Sequence, residues 1–466
     1  MKVNNKYMKS ILKVIGCMFV LILVVFSGCK KEWLDVKSDK MQTVPETVVD
    51  FQAILDNFTL ILVGLGEVAA DGHYYTESDF TSMLPLNAHI QNAYVWTSIN
   101  QHENITQNTT FYTSIYRRIL DMNIILDYVE KSKDKDHAGL GQVKAQALFN
   151  RGLLYFELAQ VYAPAFKTNS ANSDLGLALR LSTDITETSV RSTVKQTYDR
   201  IISDLTTSKD ALPNTSEYLS RASKSAALGL LAKVYLSMGD YSNAFTYSNE
   251  YLKIKSELLD YNTLSVVANF IGVNKEVAFL NLLSASSYLN SRYRIDQSLF
   301  DSYDNNDLRK KIFFNVTSSG ILFKGHYSNS ASHMFIGPAT DEMYLIRAEC
   351  NSRAGKLSDA MKDLNDLLRT RYAKNPDGSS KYVDKIALSE TDALTKIFAE
   401  RKKQLILRNV RWSDLRRLNQ DSRFSVTLNR TIGGKQYTLE PNSNAYTFPL
   451  PYEIIRLSGM KQNPGW

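Results

Sequence analysis

Ala232, Gly239 and Ala244 follow an Ala-x6-Gly-x4-Ala spacing, and Ala348, Gly355 and Ala360 repeat it later in the chain. The two copies lie in the apolar stretches Ala227–Leu252, which also carries Tyr235 and Tyr241, and Tyr344–Leu368. A small residue in each of two helices lets their backbones approach closely. A glycine between them supplies the left-handed turn that reverses the chain. The spacing therefore predicts two antiparallel helix hairpins. Two hairpins leave apolar faces uncovered, so other helices must complete the core.

The spacing is the tetratricopeptide one, and helical periodicity recurs along much of the chain. Within Val44–Leu65, Phe51, Ile54, Leu55, Phe58 and Leu62 recur at three and four residues. Further helices are expected at Phe111–Val129, Val143–Tyr162, Val194–Ala211 and Ala393–Asn419. The Val143–Tyr162 segment carries one stripe of Leu148, Gly152, Tyr155, Ala159 and Tyr162 and another of Leu154, Leu158 and Val161. A helix apolar on two sides is buried between neighbours. Gly66–Thr110 loses the period and reads as a long loop region, Asp260–Phe335 is mixed and loop-rich, and strand-like or irregular segments lie around Phe424–Leu428 and Tyr437–Leu439. The expected fold is mainly α, with tetratricopeptide-like helical repeats forming a scaffold, long irregular loop regions and minor β.

The N-terminus carries Lys2, Lys6, Lys9 and Lys13, then an apolar run from Val14 to Phe26, then Ser27-Gly28-Cys29. A run of that length fits a signal-peptide core and falls short of the ~20 residues a membrane-spanning helix needs. Small residues before a cysteine are what a lipoprotein signal peptidase requires, so Cys29 is the expected lipidation site, with residues 1–28 as the signal peptide. Removing them takes away four lysines and no acid, so the formal charge falls from +7 to +3 over the remaining 438 residues. That charge gives no case for nucleic acid binding. Cys17 and Cys29 lie in the signal and at the anchor, so Cys350 remains alone and no internal disulfide is expected.

The opening Cys29-Lys-Lys-Glu-Trp33-Leu34-Asp35-Val36 and the closing Phe448-Pro449-Leu450-Pro451-Tyr452-Glu453-Ile454 and Gln462-Asn463-Pro464-Gly465-Trp466 resemble the two ends of the SusD/RagB family of outer-membrane lipoproteins from Bacteroidetes. Arg221-Ala-Ser-Lys224-Ser-Ala226-Ala227, Leu231-Ala232-Lys-Val-Tyr235-Leu and Tyr344-Leu345-Ile346-Arg347-Ala348-Glu349 look like its central helices. Glu400-Arg401 and Arg411-Trp412-Ser413-Asp414-Leu415-Arg416-Arg417 look like its Glu-Arg…Arg-Trp-x-Asp-Leu-x-Arg block. Gln404 and Arg408-Asn409 depart from it, standing where many members carry acidic residues or glycine. The resemblance implies an N-terminal part over 29–335 and a C-terminal part over 336–466, packed as one globular unit. It also implies a lipid anchor in the outer membrane at the cell surface. The expected role is capture of a glycan ligand, without catalysis, for a SusC-like TonB-dependent transporter. The competing readings are a tetratricopeptide lipoprotein scaffold for outer-membrane protein assembly, and capture of a non-glycan ligand such as a peptide.

The residues themselves offer no catalytic signature. His73, His89, His102, His137, His326 and His333 form no close metal-ligand pair, and there is no nucleophile elbow or phosphate loop. No cofactor and no metal are expected. The Glu400–Arg417 block reads as a buried charge network in which arginines pair with Glu400 and Asp414. The loops offer aromatic rings among amides and hydroxyls, on which the C–H faces of sugars stack. Tyr74, Tyr75, Trp96 and Asn100 in the first loop region, and Tyr288, Tyr293 and Tyr303 in the second, are the expected ligand-binding residues, if the two regions converge on one surface.

Overall fold

The computed structural model describes residues 45, 47–57, 64–83, 88–97, 105–132, 139–284, 292–330 and 332–466, with side chains described from Phe111 onward in the helix that begins at 105. The signal segment, Cys29 and the Trp33-Leu34-Asp35 motif lie outside these residues. So do Asn100 and Tyr288. The chain divides into two compact units, Met1–Asp50 and Phe51–Trp466. In the first, the Thr47 hydroxyl accepts the Asp50 N–H at 3.2 Å, an N-terminal helix cap.

The second unit is a row of antiparallel helices. Ile105–Lys131 packs on Leu140–Tyr162, which packs on Val194–Ala211, then Lys224–Met238, Tyr241–Ile254, Thr340–Arg353 and Leu357–Arg369, with Glu390–Gln404 laid against the last pair. The two repeat hairpins form as the spacing predicts. Ala232, Ala244, Ala348 and Ala360 are fully buried at the helix crossings. Gly239 and Gly355 turn the chain at φ of 75° each. A side chain at Gly355 would meet nothing within 4 Å, so that glycine is required by its backbone angle and not by crowding. Gly152 is required by crowding, since a Cβ there would sit 2.9 Å from Leu205 Cγ. Helix Leu140–Tyr162 is buried on nearly all sides, as its two stripes imply.

The C-terminal block closes the end of that same helix. Phe448 N–H donates to the Val161 carbonyl at 2.9 Å, and Asn463 Nδ2 donates to the carbonyls of Tyr162 at 3.0 Å and Phe448 at 2.6 Å. Trp466 Nε1 donates to the Thr447 carbonyl at 2.7 Å. The Asn-Pro-Gly-Trp terminus is therefore a structural clasp. The elements also pack across residues 335 and 336, where Thr340–Arg353 lies on Tyr241–Ile254.

Two expectations are corrected. Gly66–Thr110 is not a continuous loop: it holds helices Leu65–Ala69, Glu77–Thr81 and Ala88–Val95, and the long helix starts at Ile105. Ala88–Val95 buries Gln91 and Asn92 along with its apolar residues, so no amphipathic period marks it. Ala393–Asn419 is not one helix either, because Leu405–Val410 separates Glu390–Gln404 from Arg411–Leu418. Leu407 and Asn409 take positive φ there, 57° and 55°. Asparagine tolerates this angle better than most residues with a side chain. The minor β consists, among the described residues, of two-stranded antiparallel sheets, including the hairpin Leu428–Ile432 with Lys435–Leu439. Turn at 422–424 and irregular backbone at 425–427 precede Leu428, so strand structure begins at the end of the first strand-like piece.

Candidate functional site

The two loop regions meet through a short antiparallel sheet. β1 (His73–Tyr75) pairs with strand Tyr293–Ile295, setting Tyr74 opposite Arg294 and Tyr75 opposite Tyr293. Strand alternation then separates the side chains. His73, Tyr75 and Tyr293 turn inward, while Tyr74 keeps 40% of its surface in solvent. Around this outer face, Arg294 Nε donates to the Ser319 carbonyl at 2.7 Å and its guanidinium lies 3.8 Å from Asp79. Arg292 donates to the Ser82 hydroxyl at 2.6 Å.

The inner face is packed. The His73 ring meets Tyr293 edge-on at 5.0 Å, and Tyr75 meets Tyr94 at 4.7 Å. Burial pushes the His73 imidazole down to about 3, so it is neutral at physiological pH. Trp96 sits at φ 56° and donates its Nε1–H to the Ala69 carbonyl at 3.0 Å. Arg430 crosses beneath, donating to the carbonyls of Val68, Ala69, Ala70 and Tyr94. Burial lowers its pKa to about 10, which leaves it a cation at neutral pH.

These placements correct the expectation of an open aromatic platform. Tyr75, Trp96 and Tyr293 are core residues whose rings are covered by neighbouring rings and by Arg430. Tyr303 is buried elsewhere, donating its hydroxyl to the Lys403 carbonyl at 2.8 Å and packing on Phe314 at 5.2 Å. Of the described candidates, Tyr74 alone is exposed. Arg292, Asp79 and Ser82 join it at the surface, while Arg294 is buried. Nothing in the local sequence marks them, because their position depends on a pairing of distant three-residue strands.

The Glu400–Arg417 block is a buried ionic network, as its composition implies. Glu400 pairs with Arg309 at 2.7 Å, and Asp414 with Arg401 at 2.7 Å and Arg417 at 2.9 Å. Arg417 also holds Glu349 with both Nη atoms, at 2.6 and 2.8 Å. Burial by itself would raise the Asp414 carboxyl, but Arg401 and Arg417 outweigh it and hold the group below its ordinary range. Gln404 joins the network through Asp341 at 3.0 Å. Its charges are matched by one another, so it ties helices together.

Away from the sheet, an open groove of about 580 Å3 runs between helix Ile105–Lys131, the 178–189 segment and helix Tyr452–Ser458. Tyr112, Tyr116, Asn123 and Arg180 line it, and Ile185 and Leu457 stand exposed at its rim. Tyr116 and Asn123 spend their polar groups on the carbonyls of Ala178 and Arg180, both at 2.9 Å, so they serve the wall more than the opening. Among the described residues no three His, Cys, Asp or Glu side chains gather as metal ligands would. Cys350 is buried and unpaired with another cysteine. No described helix is long and apolar enough to cross a membrane.

Comparison with known proteins places this architecture. A SusD-like family model described as starch-binding and associating with the outer membrane matches residues 32–236. The SusD family model matches residues 341–466. SusD-like protein P2 of Formosa agariphila is 24% identical over 397 residues, covering 71% of this chain and 75% of the relative. A solved SusD superfamily protein from Bacteroides fragilis superposes with a TM-score of 0.71 at 20% identity, covering 90% of this chain and 99% of its own. A SusD-like carbohydrate binding protein from Bacteroides vulgatus superposes with a TM-score of 0.63 at 20% identity, covering 89% and 97%. At such identities the likeness to solved structures establishes the fold.

Proposed function

This chain belongs to the SusD/RagB family, and from that premise we propose that it captures nutrient glycans, oligosaccharide or polysaccharide, at the cell surface and delivers them to a SusC-like TonB-dependent transporter. Family membership carries with it a binding role of the starch or glycan type and association with the outer-membrane surface. The finer statements are the proposal: a lipid anchor on Cys29, a barrel partner, and binding without chemical change. A lipoprotein cysteine supplies the several acyl chains that stable anchoring takes.

The observation that carries the reading is the pairing of His73–Tyr75 with Tyr293–Ile295, which draws two polar, tyrosine-rich loop regions to one surface. There Tyr74 offers a ring to solvent, with Arg292, Asp79 and Ser82 beside the sheet. An exposed ring bordered by hydrogen-bonding groups suits the C–H face and hydroxyl edge of a sugar. The proposed glycan contact is Tyr74, supported by those neighbours.

Two measurements test this. Gentle solubilisation and pull-down should bring a TonB-dependent barrel with the chain at fixed stoichiometry; its absence would remove the delivery role. Affinity electrophoresis against a polysaccharide panel should find a retarding glycan, with retardation lost in Tyr74→Ala. Unchanged retardation in that variant would move the glycan site elsewhere.

A further inference from the structure

The outer face of the β1 sheet carries two arginines in different circumstances. Tyr74 stands opposite Arg294, so their side chains leave the sheet on one side. Arg292, just before the strand and two residues from Arg294, falls on that same side by alternation. Arg294 is spent on the fold. It is 8% exposed, donates Nε to the Ser319 carbonyl at 2.7 Å and meets the Asp79 carboxylate at 3.8 Å. A Cβ on Gly320 would lie 2.8 Å from Arg294 Cδ, so the turn joining Phe314–Thr317 to Gly320–Phe323 covers it.

Arg292 is half-buried and donates Nη1 to the Ser82 hydroxyl at 2.6 Å. A serine holds the guanidinium without neutralising it. Among the described residues no carboxylate lies within salt-bridge distance of Arg292, and the acids around it are engaged elsewhere. Asp79 faces Arg294 and accepts from the Thr76 hydroxyl at 2.7 Å. Glu77 reaches toward Gly433, in the turn between Leu428–Ile432 and Lys435–Leu439. Asp296 caps helix Gln297–Asp301. Residues 84–87 and 285–291, which adjoin the site in sequence, contain no acid.

One guanidinium is thus left without a counter-charge on the face that exposes Tyr74. Its Nε and Nη2 remain to donate, as the fork that matches an oxyanion. The Ser82 bond holds that fork in place beforehand, which lowers the ordering cost of binding. A neutral glycan lying on Tyr74 would strip water from the cation and give no charge in return, whereas an anionic group would compensate it. We infer that Arg292 is a specificity-determining residue of the Tyr74 surface and selects an acidic glycan, whose uronate carboxylate or sulfate ester pairs with Arg292 while a sugar face stacks on Tyr74. The inference rests on the Tyr74 surface being the glycan site, and it adds the class of glycan taken there.

The test uses the full chain and two matched pairs: polygalacturonate with its methyl ester, and a sulfated galactan with its desulfated form. Affinity electrophoresis should show retardation by the charged member of a pair, with the uncharged member about tenfold weaker, the loss expected for a charge-assisted hydrogen bond. Which pair responds tells carboxylate from sulfate. Arg292→Gln should weaken retardation by the charged glycan about tenfold, and Arg292→Lys should lose less, because it keeps the charge without the fork. Both variants should melt with wild type. Raising salt to roughly 1 M, where screening acts over ~3 Å, should weaken binding of the charged glycan. Equal retardation by both members of a pair, retardation by neutral glycans alone, or a charged glycan held undiminished by Arg292→Gln would overturn the selection and leave Tyr74 as a glycan contact. No retardation by any glycan, charged or neutral, would overturn the glycan reading and this inference with it.

Discussion

Arg430 lies over the ring of Tyr94, its guanidinium carbon 3.7 Å from the ring centroid, and gathers beneath that ring the backbone ends of two short helices. The cation has no carboxylate partner in salt-bridge distance among the described residues; carbonyls at the ends of Leu65–Ala69 and Ala88–Val95 take that role. It thereby sets the floor on which β1 and Tyr74 rest. Arg430→Ala should strand several buried carbonyls and uncover Trp96, destabilising the fold by about 3–5 kcal/mol, in the range for losing several buried hydrogen bonds. Urea unfolding would measure it, and increased quenching of tryptophan fluorescence by acrylamide before the main transition would show that the loop floor loosens first.

Asn409 joins two buried acids. Its N–H donates to Glu67 Oε2 at 2.9 Å and its Nδ2 to Glu157 Oε2 at 3.0 Å. Burial raises both carboxyls from 4.5 to about 7, with Asp71 adding to the rise at Glu67 and Lys233 opposing it at Glu157. Between those values the folded chain holds protons that the unfolded chain has released. Stability contributed by these groups is therefore full below about pH 4.5, falls as pH rises to about 7, and is flat above. Glu67→Gln and Glu157→Gln should each remove part of that slope and make the protein more stable than wild type at about pH 8, by about 1–3 kcal/mol. Thermal melts at a series of pH values would check it; a parallel wild-type and variant profile would refute it.

Arg417 and Glu349 illustrate what a buried pair does when broken. Glu349 is held by both Nη atoms of Arg417 and by Arg353 at 3.0 Å. Arg417→Leu should destabilise by about 3–5 kcal/mol, because it leaves a buried carboxylate short of its main partner. The double variant Arg417→Leu with Glu349→Leu should recover part of that loss. A double-mutant cycle by urea unfolding would show whether the two changes are coupled; simple additivity would mean the pair is incidental to the fold.

The helix scaffold was legible because its rules are local. Ala232, Gly239 and Ala244 act within one hairpin, so their spacing is visible in a short window, and the matching triplet at 348–360 repeats it. The charge network was legible in kind, since Glu400, Arg401 and Asp414 are too dense in arginine partners for anything but pairing. Its distant members, Arg309 and Glu349, were not. The aromatic candidates failed for a related reason. Tyr75 stands in polar surroundings along the chain, and the pairing of β1 with Tyr293–Ile295 turns it inward, while Arg430 from a remote hairpin covers Trp96. Short strands leave no period to read.

Gly355 offers the sharpest test of the hairpin argument, because its two possible roles separate cleanly. Its φ is 75°, in the left-handed region, and an added Cβ would touch nothing within 4 Å. If the backbone angle is what the position requires, Gly355→Ala should cost about 1–2 kcal/mol, and Gly355→Asn distinctly less, because asparagine visits that region more readily. Gly152 has the opposite profile: it sits inside a helix, where alanine is favoured over glycine by about 1 kcal/mol, but its Cβ would press on Leu205 Cγ at 2.9 Å. There Gly152→Ala should destabilise, and trimming the neighbour with Leu205→Ala should make the same substitution far less harmful. Equal costs for Ala and Asn at 355 would show that the turn is not limited by its left-handed angle. Failure of Leu205→Ala to relieve Gly152→Ala would show that the two helices do not meet where the small residues place them.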